Sequence, residues 1–397
     1  MSVSSTMNKA LAKGEPPRLL GTFSRWAWVC LGVVAVLAFF STADDSFMTI
    51  ANYTLIAAIA ALSLNVLSGY TGQISLGVAF FMAVGAYTAA WLGGEPPTSP
   101  RSPLGLGLSF LIWLPAAGIV AALIGALVGP TALRLKGFYL GIVTLALIFI
   151  GHHIFINAAG ITGGPQGRTF PTPAFGDFSF SEQNTLFGVV ALTSGQEFFL
   201  LNLLVLLLSA LFVGNVMRSR AGRAFQAVRD NEVGAAIMGV NLFEAKMGAF
   251  ILSSFLAGIA GALLASYSRY IVPNYWDLSL SIQFVAAIIV GGVASVWGSI
   301  LGAAFVFALP LLIDRFSLLP PSTSSVGLSS GDLNALIYGF LIIVFLLFQP
   351  QGVIGLVQRS QTLTHRHNKP EEEGGESAET TDLSESASEA QPGIKPE

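Results

Sequence analysis

What most constrains this chain is a succession of long apolar stretches that contain no charge, because about 20 such residues cross the hydrocarbon core of a bilayer. Ten can be traced, at 27–43, 48–68, 74–93, 104–133, 137–157, 198–217, 247–268, 281–292, 297–313 and 333–348. Only 10% of the residues are charged, against roughly a quarter in soluble domains, so a soluble globule is excluded. The expected fold class is all-α, a polytopic integral membrane protein of about ten transmembrane helices. The eighth run is short. It can instead form a re-entrant hairpin with the ninth, turning at residues 291–295, which gives eight spans plus the hairpin.

Lys and Arg are retained on the cytoplasmic side of a membrane, and their distribution gives the direction. With both termini in the cytoplasm, 15 of the 19 basic residues fall inside, leaving Arg101, Arg168, Arg269 and Arg315 outside. The chain then divides into a cytoplasmic N-terminal segment (1–25), a transmembrane permease domain (26–358) and an acidic tail (359–397). The domain includes an outer loop at 158–197 and a cytoplasmic loop at 218–246. After Leu363 the tail carries nine acids against three bases and almost no large apolar side chains, the composition of a disordered segment. The first run could also be read as a signal peptide ending at Ser41-Thr42-Ala43. Its polar lead of about 25 residues is long for that, and Trp26 and Trp28 suit an interfacial belt, so an uncleaved helix is preferred.

The spans contain no Asp, Glu, Lys or Arg, which leaves no intramembrane carboxylate to bind a driving ion. His152 and His153 are the ionisable side chains within a span. As neighbours they point about 100 degrees apart on a helix, so no metal site is expected. None of the six lysines precedes Ser or Thr, which excludes a phosphate-gripping loop of the GxxxxGK type. No HExxH helix is present either, and one cysteine, Cys30, excludes an internal disulfide. The chain is expected to be no enzyme and to need no cofactor.

The inner loop reads RSRAGRAFQAVRDNEVGAAIMGVNLFEAK. Ala221, Phe225 and Val228 share one helical face while Arg223, Gln226 and Arg229 face away. A second turn over Glu232–Met238 is expected to stop at Gly239 in a left-handed cap, and Asn241 with Glu244 makes a capping arrangement for the next helix. Such a helix–break–helix loop either meets a soluble partner or lies on membrane lipid.

This loop resembles the coupling segment of permease subunits in ATP-binding-cassette (ABC) importers, particularly the branched-chain amino-acid type (LivM-like). The pattern falls on Gly222, Arg223, Glu232, Gly234, Ala235 and Gly239, followed by Asn241, and departs at Gly234, where Ala is usual. Three further stretches are similar to the same family: residues 61–90, with the turn Gly69-Tyr70-Thr71-Gly72-Gln73; 137–147 with 161–167; and 291–304 with 348–355. The outer loop and the acidic tail are not covered. The resemblance implies half of a translocation path for a branched-chain or related amino acid, or for an amide or urea. Its implied partners are a homologous permease subunit, two ATP-binding-cassette ATPase subunits and an extracytoplasmic substrate-binding protein, with no nucleic acid and a bacterial plasma-membrane location. Phe225 and Val228 would then seat in an ATPase groove, with Arg223 and Arg229 at its rim.

Polar residues in apolar surroundings need hydrogen-bond partners, and six of them are candidates for the path: Asn65, Gln73, Ser75, Tyr87, Thr144 and Gln283. The small residues Ala257, Gly261 and Ala265 and the pair Gly298 and Gly302 are spaced for close helix contact. A self-contained secondary transporter or channel, and a scaffold without transport, remain the alternatives at this stage.

Overall fold

The computed structural model describes residues 44–94, 104–132, 137–170 and 190–315, short pieces between 173 and 186, and positions 339, 340, 343 and 347. The expected first span, most of the tenth, the N-terminal segment and the acidic tail lie outside the described residues. Within them the chain is a helical membrane body. In order come α1 (Asp45–Leu64, continued by a π-turn, Asn65–Gly69), α2 (Val78–Gly93), α3 (Phe110–Ala132), α4 (Phe138–Asn157) and a short α5 (Ala159–Thr162). There follow α6 (Ser194–Arg218), α7 (Arg220–Asp230), α8 (Glu232–Ile237), α9 (Leu242–Ser268) and α10 (Leu278–Gly291). Last are α11 (Val296–Ala303), a second π-turn (Ala304–Ala308) and α12 (Leu309–Arg315).

Among the described residues, six helical stretches are long and apolar enough to cross a membrane. Of the spans expected from sequence, α10 is the shortest at 14 residues, about 21 Å of rise, which falls short of a ~30 Å core. It does turn back tightly on α11. Added side chains at Gly291, Gly298 or Gly302 would enter the opposing backbone. The continuous helical run from Val296 to Ile313 is nevertheless long and apolar enough to cross, whereas the eighth is short.

The centre of the body is α1 and α9, with 72% and 61% of their apolar windows buried, while α3, α4 and α6 keep about a third or less buried and form the rim. Small residues set this arrangement. A side chain at Gly261 would strike the Met82 carbonyl, and one at Gly85 would strike the backbone of Gly258, so α2 and α9 meet backbone to backbone. Gly258 in turn receives Ala117 and Ala121 of α3.

The third span was expected from residue 74, but the helix begins at Val78. Gly72 has φ +69°, in the left-handed region, and residues 72–77 run without helix. This break is tolerated because other helices supply its partners: Thr144 Oγ1 accepts from the Leu76 amide at 2.9 Å and Ser281 Oγ from the Ala79 amide at 3.1 Å. Thr144→Val keeps the shape and leaves the Leu76 amide unpaired, so it should cost about 1–3 kcal/mol. The measurement is the unfolding midpoint in detergent.

Loops segregate to the two ends as alternating crossings require. One end holds the break after α1, the helices α7 and α8, and the turn between α10 and α11. The other holds α5, the strands β1 (Arg168–Thr169), β2 (Ala174–Phe175), β3 (Phe178–Ser179), β4 (Asn184–Leu186), β5 (Val190–Leu192) and β6 (Tyr270–Ile271). These add to the expected all-α class three antiparallel pairs, β1 with β6, β2 with β3 and β4 with β5. Phe170 of the long loop is buried with its ring centroid 5.2 Å from Trp113.

Candidate functional site

At the end that holds α7 and α8, the polar side chains of Asn65 and Gln73 tie separate helices together. Asn65 is fully enclosed in the π-turn after α1. Its Nδ2 donates to the Ser295 carbonyl at 2.8 Å and to Ser299 Oγ at 2.6 Å, while its Oδ1 accepts from the Ala294 amide at 2.9 Å. The side chain therefore clamps α1 to the α10–α11 turn. Gln73 is 5% exposed; its Nε2 donates to Thr71 Oγ1 at 2.9 Å and reaches the Lys246 carbonyl at 3.4 Å, and its Oε1 is buried without a partner. Ser75 accepts from the Gly77 amide at 3.3 Å, within the same break.

Lys246 carries the connection into the loop, with its Nζ 2.6 Å from Glu232 Oε1. Arg229 lies along Gly72, where an added side chain would touch its Cα and stem. The loop is thus packed on the break between α1 and α2 at Arg229, Glu232 and Lys246. Gly239 has φ +84° and ends α8 as expected, with the Val240 amide on the Ala235 carbonyl. Asn241 Oδ1 accepts from the Phe243 and Glu244 amides and starts α9 at Leu242, as the capping arrangement predicts, five residues ahead of the charge-free run that begins at 247.

The buried face of α7 corrects an expectation. Phe225 and Val228 are 4% and 2% exposed, enclosed by this chain's own core, and Gly222 rather than Ala221 completes that face. A side chain at Gly222 would collide with the Met217 backbone, which explains a glycine at the turn from α6. Neither Phe225 nor Val228 is placed to seat in a partner. Arg223 is exposed, its Nη1 on the Arg218 carbonyl at 3.3 Å. What the loop presents outward is α8 and its flank: Val233, Ile237, Met238 and Phe243 are 70%, 82%, 75% and 51% exposed. Ala235 faces inward. Sequence periodicity missed this surface because a six-residue helix is too short to establish a stripe.

The remaining path candidates lie elsewhere. Thr144 holds the Leu76 amide in the break before α2, as described above. Gln283 borders a cavity of about 430 Å³ lined by Met82, Leu280, Phe284 and Phe307, with Tyr53 and Tyr275 as polar rim. Its amide makes no hydrogen bond to another described residue. Tyr87 is buried near the opposite end of α2, its ring centroid 4.9 Å from that of Phe155. The six candidates therefore separate into interhelical ties (Asn65, Gln73, Thr144), a bond within the break (Ser75), a cavity wall (Gln283) and a buried ring in the second half of α2 (Tyr87). His153 lies on the exposed side of α4, and no group of metal-ligating side chains occurs among the described residues.

The profile of the branched-chain amino acid transport system permease component matches residues 46–346, a range that contains the clamp, the cavity and the loop. The chain belongs to this family. It is 31% identical to the high-affinity branched-chain amino acid transport system permease protein LivM of Salmonella typhimurium, over 87% of this chain and 78% of that one. The LivM protein of Escherichia coli is 30% identical over 81% and 73%. A probable branched-chain amino acid transport permease protein LivM of Methanocaldococcus jannaschii is 24% identical over 75% and 89%. No solved structure matches the chain. Membership makes the chain a membrane transport permease, and the observed helices agree with that.

Proposed function

We propose that this chain is one permease subunit of an ABC importer for branched-chain or related amino acids. It pairs with a homologous permease subunit to form the path, and two ATPase subunits dock beneath it. An extracytoplasmic binding protein delivers the solute from the other side. The observation that carries this reading is a solvent-exposed apolar row on α8 joined by Glu232, Lys246 and Arg229 to the break between α1 and α2. Exposed apolar side chains on a polar loop suit a protein partner. A push on that row is transmitted through packed contacts to the Asn65 clamp, a discrete interhelical connection of the kind that alternating access needs.

The cavity beside Gln283 fits the solute. Its volume is within the roughly 300–1,000 Å³ of small-molecule sites, and its walls are apolar with few polar groups, suited to a branched aliphatic side chain. Direction follows from the basic residues. Arg218, Arg220, Arg223, Arg229 and Lys246 all lie at the α8 end, which we assign to the cytoplasm, with both termini on that side of the plasma membrane. The test is purification from native membranes in mild detergent, followed by mass spectrometry. Co-purification of a nucleotide-binding subunit and a second permease is expected. Recovery of the chain alone, under conditions that hold other importers together, would contradict the reading.

A further inference from the structure

At the end opposite the coupling loop, three polar groups are buried together without normal partners. Arg168 on β1 is 6% exposed, Tyr87 in the second half of α2 is 3% exposed, and Trp276, in the turn after β6, is 3% exposed. Arg168 Nε, the Tyr87 hydroxyl and Trp276 Nε1 each lack a hydrogen bond. The Tyr87 hydroxyl lies beside the Trp276 indole, short of good hydrogen-bond geometry, and is near enough to the guanidinium to interact electrostatically. Arg168 is partly anchored, its Nη1 donating to the Leu104 carbonyl at 3.0 Å and the Ile161 carbonyl at 2.7 Å. No carboxylate among the described residues pairs with it.

A buried guanidinium that no carboxylate among the described residues pairs with is costly, and two further buried polar groups beside it make the imbalance larger. Everything offered is a donor or a positive charge, apart from the hydroxyl, which serves as either. The missing complement is a compact anion with several acceptor lone pairs, and a carboxylate supplies these in one plane. A water would satisfy one or two donors and leave the charge unpaired. The three groups sit on separable pieces. Arg168 belongs to the small ribbon of β1 and β6 and Trp276 to the turn that follows β6, whereas Tyr87 belongs to α2. In the present closed arrangement they are shut off from solvent, and parting the ribbon from α2 would expose them.

We propose that Arg168, Tyr87 and Trp276 form a carboxylate-binding station at the outer mouth, which receives the carboxylate of the solute when this end opens. The proposal deepens the importer reading and rests on it for the identity of the solute. The probes are 3-methylbutanoate, which has a branched aliphatic chain and a carboxylate, and 3-methylbutanamide, its uncharged counterpart of similar shape. In the purified complete importer, the acid should raise the thermal unfolding midpoint and the amide should not. Tyr87→Phe and Trp276→Phe should each weaken the apparent affinity for the acid about tenfold, the effect of losing one hydrogen bond to a charged group. Arg168→Lys, which keeps the charge and loses Nε–H, should do the same.

A merely structural role predicts otherwise: the variants would lower the midpoint without ligand and keep the full increment with the acid. That result, or an equal response of the native importer to acid and amide, overturns the station. ATP-driven leucine uptake in the same preparation separates the two ideas. Uptake without acid-selective stabilisation removes the station and leaves the importer. Acid-selective stabilisation without uptake keeps the carboxylate site and removes the importer reading.

Discussion

Ile237→Asp is expected to leave the membrane body intact and weaken ATPase binding roughly thirtyfold or more, whereas Phe225→Asp is expected to destroy the body itself. Ile237 is 82% exposed on α8, so a charge there remains hydrated and should change stability by no more than about 0.5 kcal/mol. If the α8 row is the docking surface, the same charge is buried on association. Loss of a central apolar anchor costs about 2 kcal/mol or more, roughly thirtyfold in affinity. Phe225 is 4% exposed, with its ring 3.7 Å from where a side chain at Gly248 would stand. Truncating a buried Phe costs about 3–5 kcal/mol, and a buried carboxylate adds to that. Detergent-solubilised yield and unfolding midpoint report the second effect, and co-purification of the ATPase reports the first. A Phe225→Asp protein with native stability and no bound ATPase would restore α7 as the docking element and contradict the assignment to α8.

The second large effect is expected at the contact between α2 and α9. Gly85→Ala places a methyl group inside the van der Waals shell of the Gly258 carbonyl, and Gly261→Ala does so at the Met82 carbonyl. The obstacle in both cases is backbone, which no rotamer change relieves. Overpacking of this kind costs about 1–3 kcal/mol, and the upper end is expected because two central helices must separate. Gly160 and Gly214 are the controls, since a side chain at either meets nothing within 4 Å, and their Ala variants should be near neutral. Unfolding midpoints of the four variants decide the point. Equal effects at Gly85 and Gly214 would show that α2 and α9 are not held in backbone contact.

Hydropathy alone located the helices because a lipid-facing or core helix must be apolar along its whole length, and α4 and α6 follow the apolar runs within a few residues at each end, while α3 starts six residues into its run. It misplaced the start of α2. Residues 74–77 are as apolar as the helix they precede, and the break depends on Gly72 and on hydroxyls supplied by Thr144 and Ser281 from distant segments. Periodicity also identified a buried face on α7. An amphipathic pattern says that Phe225 and Val228 are covered without saying by what, and the cover is this chain's own core. Asn65 stood out as a polar residue in an apolar run, yet its partners Ser295 and Ser299 are 230 or more positions away and only the fold brings them together. Arg168 gave no signal of its own, because an arginine in a polar loop reads as an exposed charge until β1 and β6 enclose it.

The central claim, transport of a branched-chain amino acid driven by ATP, is tested most directly in proteoliposomes that contain the complete importer, by following radiolabelled leucine. Accumulation is expected only with ATP on the side of the coupling loop and leucine with its binding protein on the other. It should persist when an ionophore collapses the ion gradients, and Ile237→Asp should stop it. Leucine entry that continues without ATP and ceases with the ionophore would contradict the account and make the chain a carrier driven by an ion gradient.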